Sequence, residues 1–149
     1  MSARVHVGSD HAGIELRREL IADLVAEGHT LASEHGPGSA DESVDYPDVA
    51  AAVCAQVLAD PGSLGLLVCG TGQGMAIAAN KRPGIRAAVV LDPVSAAMAR
   101  EHNDANVLCL GARVAGALLA KALLRAFLAA SFAGGRHARR VAKLEGPPG

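Results

Sequence analysis

The segment from Leu64 to Lys81 reads LGLLVCGTGQGMAIAANK, and its reactive residue is Cys69, set where an apolar run stops and glycines begin. The run from Leu64 to Val68 predicts a buried strand. Gly70, Gly72 and Gly74 predict a tight turn, and Met75 to Asn80 has helix-forming residues. A strand, turn and helix in that order present backbone N–H groups at a helix N-terminus, where an anionic oxygen is welcome. The same helix end favours a thiolate, the cysteine form that takes up protons. A base and an oxyanion cradle are therefore expected within a few residues of each other. The spacing G-T-G-Q-G differs from the dinucleotide fingerprint, and the Lys-Ser/Thr pair of a phosphate loop is missing. The competing reading of Cys69 is a small buried hydrophobe.

The elements around it alternate between strand-like and helix-like patterns, which predicts an α/β fold with a parallel sheet covered by helices on both faces. Strands are expected at 4–7, 30–33, 64–68, 87–91 and 107–110. A helix over about 13–26 repeats Leu16, Leu20 and Leu24 and is closed by Gly28. A second begins at Asp45, read as its cap, with Pro47 in its first turn and Val49, Val53 and Val57 as its apolar stripe. Asp92 and Pro93 start another, which runs to about Glu101. The helix over 115–130 is apolar on nearly every side, which asks for cover from a second subunit or from within the chain. Ligands of open α/β sheets bind beyond the carboxyl ends of the strands. The polar residues expected there are Ser9, Asp10 and His11, then Cys69 and Thr71, then Asp92, then Arg113.

At 149 residues the chain is expected to be one domain over 1–149, with a frayed tail from about 144. A formal net charge of −1 gives no general attraction to nucleic acid or to an anionic membrane. Aromatic residues make up 2% of the chain, too few for base stacking, so no nucleic-acid partner is expected. No apolar run is long enough to span a membrane and no signal-peptide pattern opens the chain, so a cytoplasmic protein is expected. Cys54, Cys69 and Cys109 form no CxxC pair and leave an odd cysteine, against a disulfide framework. The six histidines show no zinc pattern, and neither a metal nor another cofactor is expected.

Several ordered motifs carry a resemblance that runs nearly end to end. They are GSDHAG (8–13), DYPD (45–48), CGTGQGMAIAANK (69–81), EHNDANVL (101–108), GAR (111–113) and GGRHARRV (134–141). With these the chain resembles the sugar-phosphate isomerases of the ribose-5-phosphate isomerase B type, a family that also contains galactose-6-phosphate isomerase. The resemblance implies a Rossmann-like three-layer α/β/α sandwich with a five-stranded parallel sheet. It also implies a homodimer, or a tetramer of paired dimers, with active sites at the subunit boundary. The implied reaction is an aldose-ketose exchange between ribose 5-phosphate and ribulose 5-phosphate through an enediolate.

By the same resemblance Cys69 is the base, Thr71 donates a hydrogen bond to the reacting oxygens, and His102 opens the sugar ring. Some relatives place a glutamate where this chain has Met75, and there the cysteine is absent. Here the pattern keeps the base on Cys69. The N–H groups of Gly70, Gly72 and Gly74 would hold the enediolate, a service worth a few kcal/mol of barrier. Asp10 is implied to bind sugar hydroxyls, Asn103 to help hold the enediolate and Tyr46 to line the pocket. His11, Arg113, Arg136 and Arg140 would grip the phosphate, with His137 as an extra contact. Without the resemblance, GGRHARR reads as a solvated basic tail. An isomerase of a six- or four-carbon phosphosugar remains an alternative, and a non-catalytic phosphosugar-binding module is a third reading.

Overall fold

A computed structural model describes residues 2–146 of the chain. The strands are β1 (Arg4–Ser9), β2 (Thr30–His35), β3 (Leu64–Cys69), β4 (Ala87–Val89) and β5 (Val107–Gly111). The helices are α1 (Ile14–Ala26), α2 (Tyr46–Ala59), α3 (Gln73–Asn80), α4 (Pro93–Asn103), α5 (Ala117–Ala129) and α6 (Arg136–Leu144). The five strands form one parallel sheet in the order β2-β1-β3-β5-β4. β3 lies at its centre with all six residues buried, as its unbroken apolar sequence requires of a strand covered on both faces.

Each face of the sheet carries its own core. On one side Val5, Val7, Leu66, Val68 and Leu108 pack against Leu16, Leu20 and Leu24 of α1, Ala96 and Ala99 of α4, and Leu123, Leu124 and Phe127 of α5. On the other, Leu67, Cys69, Val107 and Cys109 pack against Val49, Val53 and Val57 of α2 and Met75, Ala76 and Ala79 of α3. The result is the Rossmann-like three-layer α/β/α sandwich with a five-stranded parallel sheet. Gly28, at φ +89°, follows α1 in a conformation that a residue with a side chain rarely adopts.

The structure corrects the sequence reading in three places. Asp45 occupies the N-cap position of α2 but makes no capping hydrogen bond through its side chain, and Pro47 in the first turn presets the helical φ there. β4 stops at Val89, and Val90 turns inward and is buried. Asp92 then caps α4, accepting the Ser95 N–H at 2.8 Å and the Ser95 hydroxyl at 2.7 Å. α5 takes part of its cover from within the chain, because Lys121 pairs with Glu19 and Arg125 with Asp23, both on α1, and Arg125 also with Glu27 just after it, while Leu118 stays exposed. Finally, GGRHARR is no tail. It opens α6, which continues through Leu144, and the Glu145 carboxylate beyond it accepts from the Gly84 N–H and from Arg86. The sequence after Gly146, most of the expected GPPG tail, lies outside the described residues.

Candidate active site

The chain runs from β1 outward to β2 on one side and then resumes with β3 on the other, so strand order reverses between β1 and β3. At such a switch point the connections leave in opposite directions and open a crevice at the carboxyl ends of the strands. Asp10 follows β1 on one lip of that crevice and Cys69 ends β3 on the other. They are joined by the bond from the Asp10 N–H to the Val68 carbonyl at 3.2 Å. Asp10 Oδ1 accepts the N–H groups of Ala12 and Gly13, at 3.0 and 3.2 Å, and so fixes the short 3₁₀ turn His11–Gly13. Asp10 Oδ2 takes no hydrogen bond among the described residues.

Cys69 is buried at 5% exposure, and its Sγ receives the Gly72 N–H at 3.2 Å. The glycine turn thus aims one amide at the sulfur itself, and the Gln73 N–H goes to Thr71 Oγ1 at 3.3 Å. Gly74 sits in the first turn of α3, where an amide has no partner within its helix. The turn needs its glycines for separate reasons. Gly72 has φ +83°, and a Cβ on Gly74 would stand 2.7 Å from the Tyr46 ring. A Cβ on Gly111 would stand 2.5 Å from the Thr71 backbone, so β5 also presses the turn into place.

Arg113 joins this end through its N–H to the Gly70 carbonyl at 2.9 Å, and its guanidinium lies over Gly70. His11 Nδ1 accepts the Val44 N–H at 3.5 Å, which leaves Nε2 to carry the proton of the neutral ring. Asp10, His11, Tyr46, Cys69, Gly70, Thr71, Gly72, Gly74 and Arg113 therefore share one end of the sheet.

His102, Asn103, Arg136 and Arg140 lie at the other end. α4 begins beyond the carboxyl edge of β4 and runs back against the strands, so its last residues reach the edge where β5 begins. Val107 at that edge lies four residues along β5 from Gly111, which pairs with Cys69, a span of about 13 Å. Here α6 folds against α4, anchored by the Ala133 N–H on the Glu101 carbonyl at 2.9 Å. The His102 and His137 rings stack with centroids 4.3 Å apart and planes 10° apart. Together with Asn103, Arg136 and Arg140 they line a cavity of about 380 Å³. Burial first, then the neighbouring His102, Arg136 and Arg140, holds the His137 imidazole below the usual histidine range.

Sequence reasoning passed over α6 as a helix, the histidine stack, and Arg17, a buried charge beside the Leu16–Leu20–Leu24 stripe. A charged residue flanking an apolar stripe was the available signal for Arg17. Cys54 and Cys109 are core residues, as read. Burial pushes the Cys54 thiol up to about 11, and it raises the Cys109 thiol too. Among the described residues, no cluster of three or more His, Cys, Asp or Glu side chains could hold a metal ion.

A parallel α/β/α sandwich with a thiol, an amide turn and a carboxylate at its switch point defines a small-molecule site of the doubly wound class. Residues 5–144 match the sequence profile of the Ribose/Galactose Isomerase family. The chain is 45% identical over 138 residues to the ribose-5-phosphate isomerase B of Escherichia coli, covering 93% of this chain and 91% of that one. A probable ribose-5-phosphate isomerase B of Mycoplasma pneumoniae is 43% identical over 97% of this chain and 94% of its own. The solved ribose 5-phosphate isomerase of Thermotoga maritima superposes with a TM-score of 0.91 at 44% identity, covering 97% of this chain and 99% of that one. The chain belongs to the Ribose/Galactose Isomerase family and is an isomerase.

Proposed function

We propose that this isomerase interconverts ribose 5-phosphate and ribulose 5-phosphate, and that its site is shared by two copies of the chain. The observation that carries the reading is the partition of the site residues. One end of the sheet holds the thiol, the amide turn and Asp10, and the other holds His102 and two arginines. A two-fold axis perpendicular to the strands sets two sheets antiparallel, so the Cys69 end of one copy meets the His102 end of its partner. Apolar side chains stand exposed around the β4 edge for such a contact: Ile77 on α3, Leu91 after β4, and Val94 and Met98 one turn apart on α4.

In that arrangement His102 of the partner subunit transfers the proton that opens the sugar ring, an acid/base role that imidazole chemistry allows. Cys69 as thiolate removes the proton from the carbon next to the aldehyde and returns it to the former aldehyde carbon. The bond from the Gly72 N–H fixes the sulfur at the mouth of the crevice. The enediolate oxygens rest on the remaining amides of the turn and on the Thr71 hydroxyl, and Asp10 Oδ2 orients the sugar hydroxyls. His11 and Arg113, with the partner's Arg136 and the partner's Arg140, hold the phosphate, for which a planar guanidinium is well shaped. Three free cysteines suit a reducing compartment such as the cytoplasm.

The test is turnover of ribose 5-phosphate by the purified protein in the presence of chelator, beside four- and six-carbon phosphosugars. Ribose 5-phosphate is expected to have the highest kcat/KM of the panel. Preference for another phosphosugar would keep the chemistry and change the substrate, and a panel without turnover would leave a binding module.

A further inference from the structure

Arg17 has no part in the reaction just described, yet its side chain is only 5% exposed. A buried guanidinium is tolerated only where acceptors surround it, and those around Arg17 all lie on two strands of backbone. Nη1 donates to Ser9 Oγ at 2.8 Å and to the His35 carbonyl at 3.3 Å. Nη2 donates to the Pro37 carbonyl at 2.7 Å. Nε stands 3.1 Å from the Glu34 carboxylate as an ion pair, without the alignment of a hydrogen bond. Next to it, Arg18 donates to the Gly38 carbonyl at 2.8 Å. Gly36, at φ +114°, leaves no room for a side chain between the Ser9 carbonyl and Arg17 Nη1.

These contacts join two walls of one pocket. Ser9 is the residue before Asp10, and the segment leaving β2 runs through 36–45 to Tyr46. Along it the Val44 N–H reaches His11, and at its end Tyr46 lies against Gly74. We infer that Arg17 is a positioning residue that sets how closely the 36–45 segment stands to the glycine turn, and thereby how tightly and at what length a phosphosugar is held. The inference rests on the isomerase reading above. Arginine suits the task because one planar fork reaches acceptors on both walls, which a lysine ammonium cannot do in the same geometry.

The experiment compares Arg17→Lys with the wild type in steady-state kinetics on ribose 5-phosphate and a six-carbon aldose phosphate. Hydrogen exchange over 36–45 and thermal melting accompany it. Loss of a charged hydrogen bond predicts a KM for ribose 5-phosphate raised about tenfold. The fall in kcat is expected to stay within roughly threefold, since the displaced groups hold ground state and transition state alike. Exchange over 36–45 is expected to quicken while β3 and β5 stay protected, and the kcat/KM ratio to move toward the longer sugar. Ser9→Ala and Arg18→Ala each remove a single bond and carry the same test if Arg17→Lys does not fold. A folded variant with a lower melting temperature but unchanged KM and loop exchange would overturn the inference, as would a loss confined to kcat. An inert wild type would remove the isomerase reading and this inference with it. An active wild type beside indifferent variants would remove the inference alone.

Discussion

Three cysteines of the same chemistry have different prospects here because of where each stands. Cys54 and Cys109 are enclosed by the α2–α3 core, and burial raises both thiols, the first to about 11. Neither forms a thiolate to any useful extent at neutral pH. Cys69 borders the same core but ends its strand at the switch crevice, with an amide donor on its sulfur. Replacing Cys69 by Ala is therefore expected to lower kcat by about 10²–10⁴-fold, the usual worth of a positioned general base. Cys54→Ala is expected to leave kcat unchanged and to reduce stability only, and steady-state kinetics beside a thermal melt separates the two. The position of Cys69 was legible in the sequence, because an apolar run breaking into glycines can hardly be anything but a strand meeting a turn. The target of the Gly72 amide was not legible, since that depends on the left-handed backbone of one residue.

At the scale of elements, what the sequence disclosed depended on burial. The central strands and the leucine and valine stripes of α1 and α2 announce themselves, because burial on a fixed face demands apolar residues at a fixed period. α6 buries none of its residues, and its short apolar face of Ala138, Val141 and Ala142 is outnumbered by charges, so its sequence reads as solvated charge. What holds it is specific: the His137 ring on His102, and Glu145 on Gly84 and Arg86. The Gly84 N–H, then Arg86, holds the Glu145 carboxyl below the ordinary carboxylate range. A carboxylate with a depressed pKa in the fold contributes stability that is fully present above its unfolded value of about 4.3. That contribution disappears as the pH falls through the folded value. Glu145→Gln is therefore expected to melt below the wild type at pH 7, and the gap is expected to close as the pH falls through the folded value. A gap that persisted in acid would mean that the carboxylate charge does not hold the end of α6.

For the molecule as a whole, the decisive fact is that a strand's length separates Cys69 from His102. Nothing in the spacing of the motifs CGTG and HND tells that the elements between them carry them to opposite ends of the sheet. Topology does: β4 goes to the edge, α4 returns along the face, and His102 arrives at the wrong end for its own Cys69. If the site is shared, Cys69→Ala and His102→Ala are each inactive as pure dimers, because every site lacks one group. A mixed dimer differs, since one of its sites takes Cys69 from the second variant and His102 from the first and is complete, while its other site lacks both. Unfolding and refolding the two variants together at equal amounts makes half of the dimers mixed, and half of their sites whole. Activity is then expected to return to about a quarter of the wild type. A site built within one chain predicts no recovery at any mixing ratio, because each polypeptide would carry its own defect into its own site.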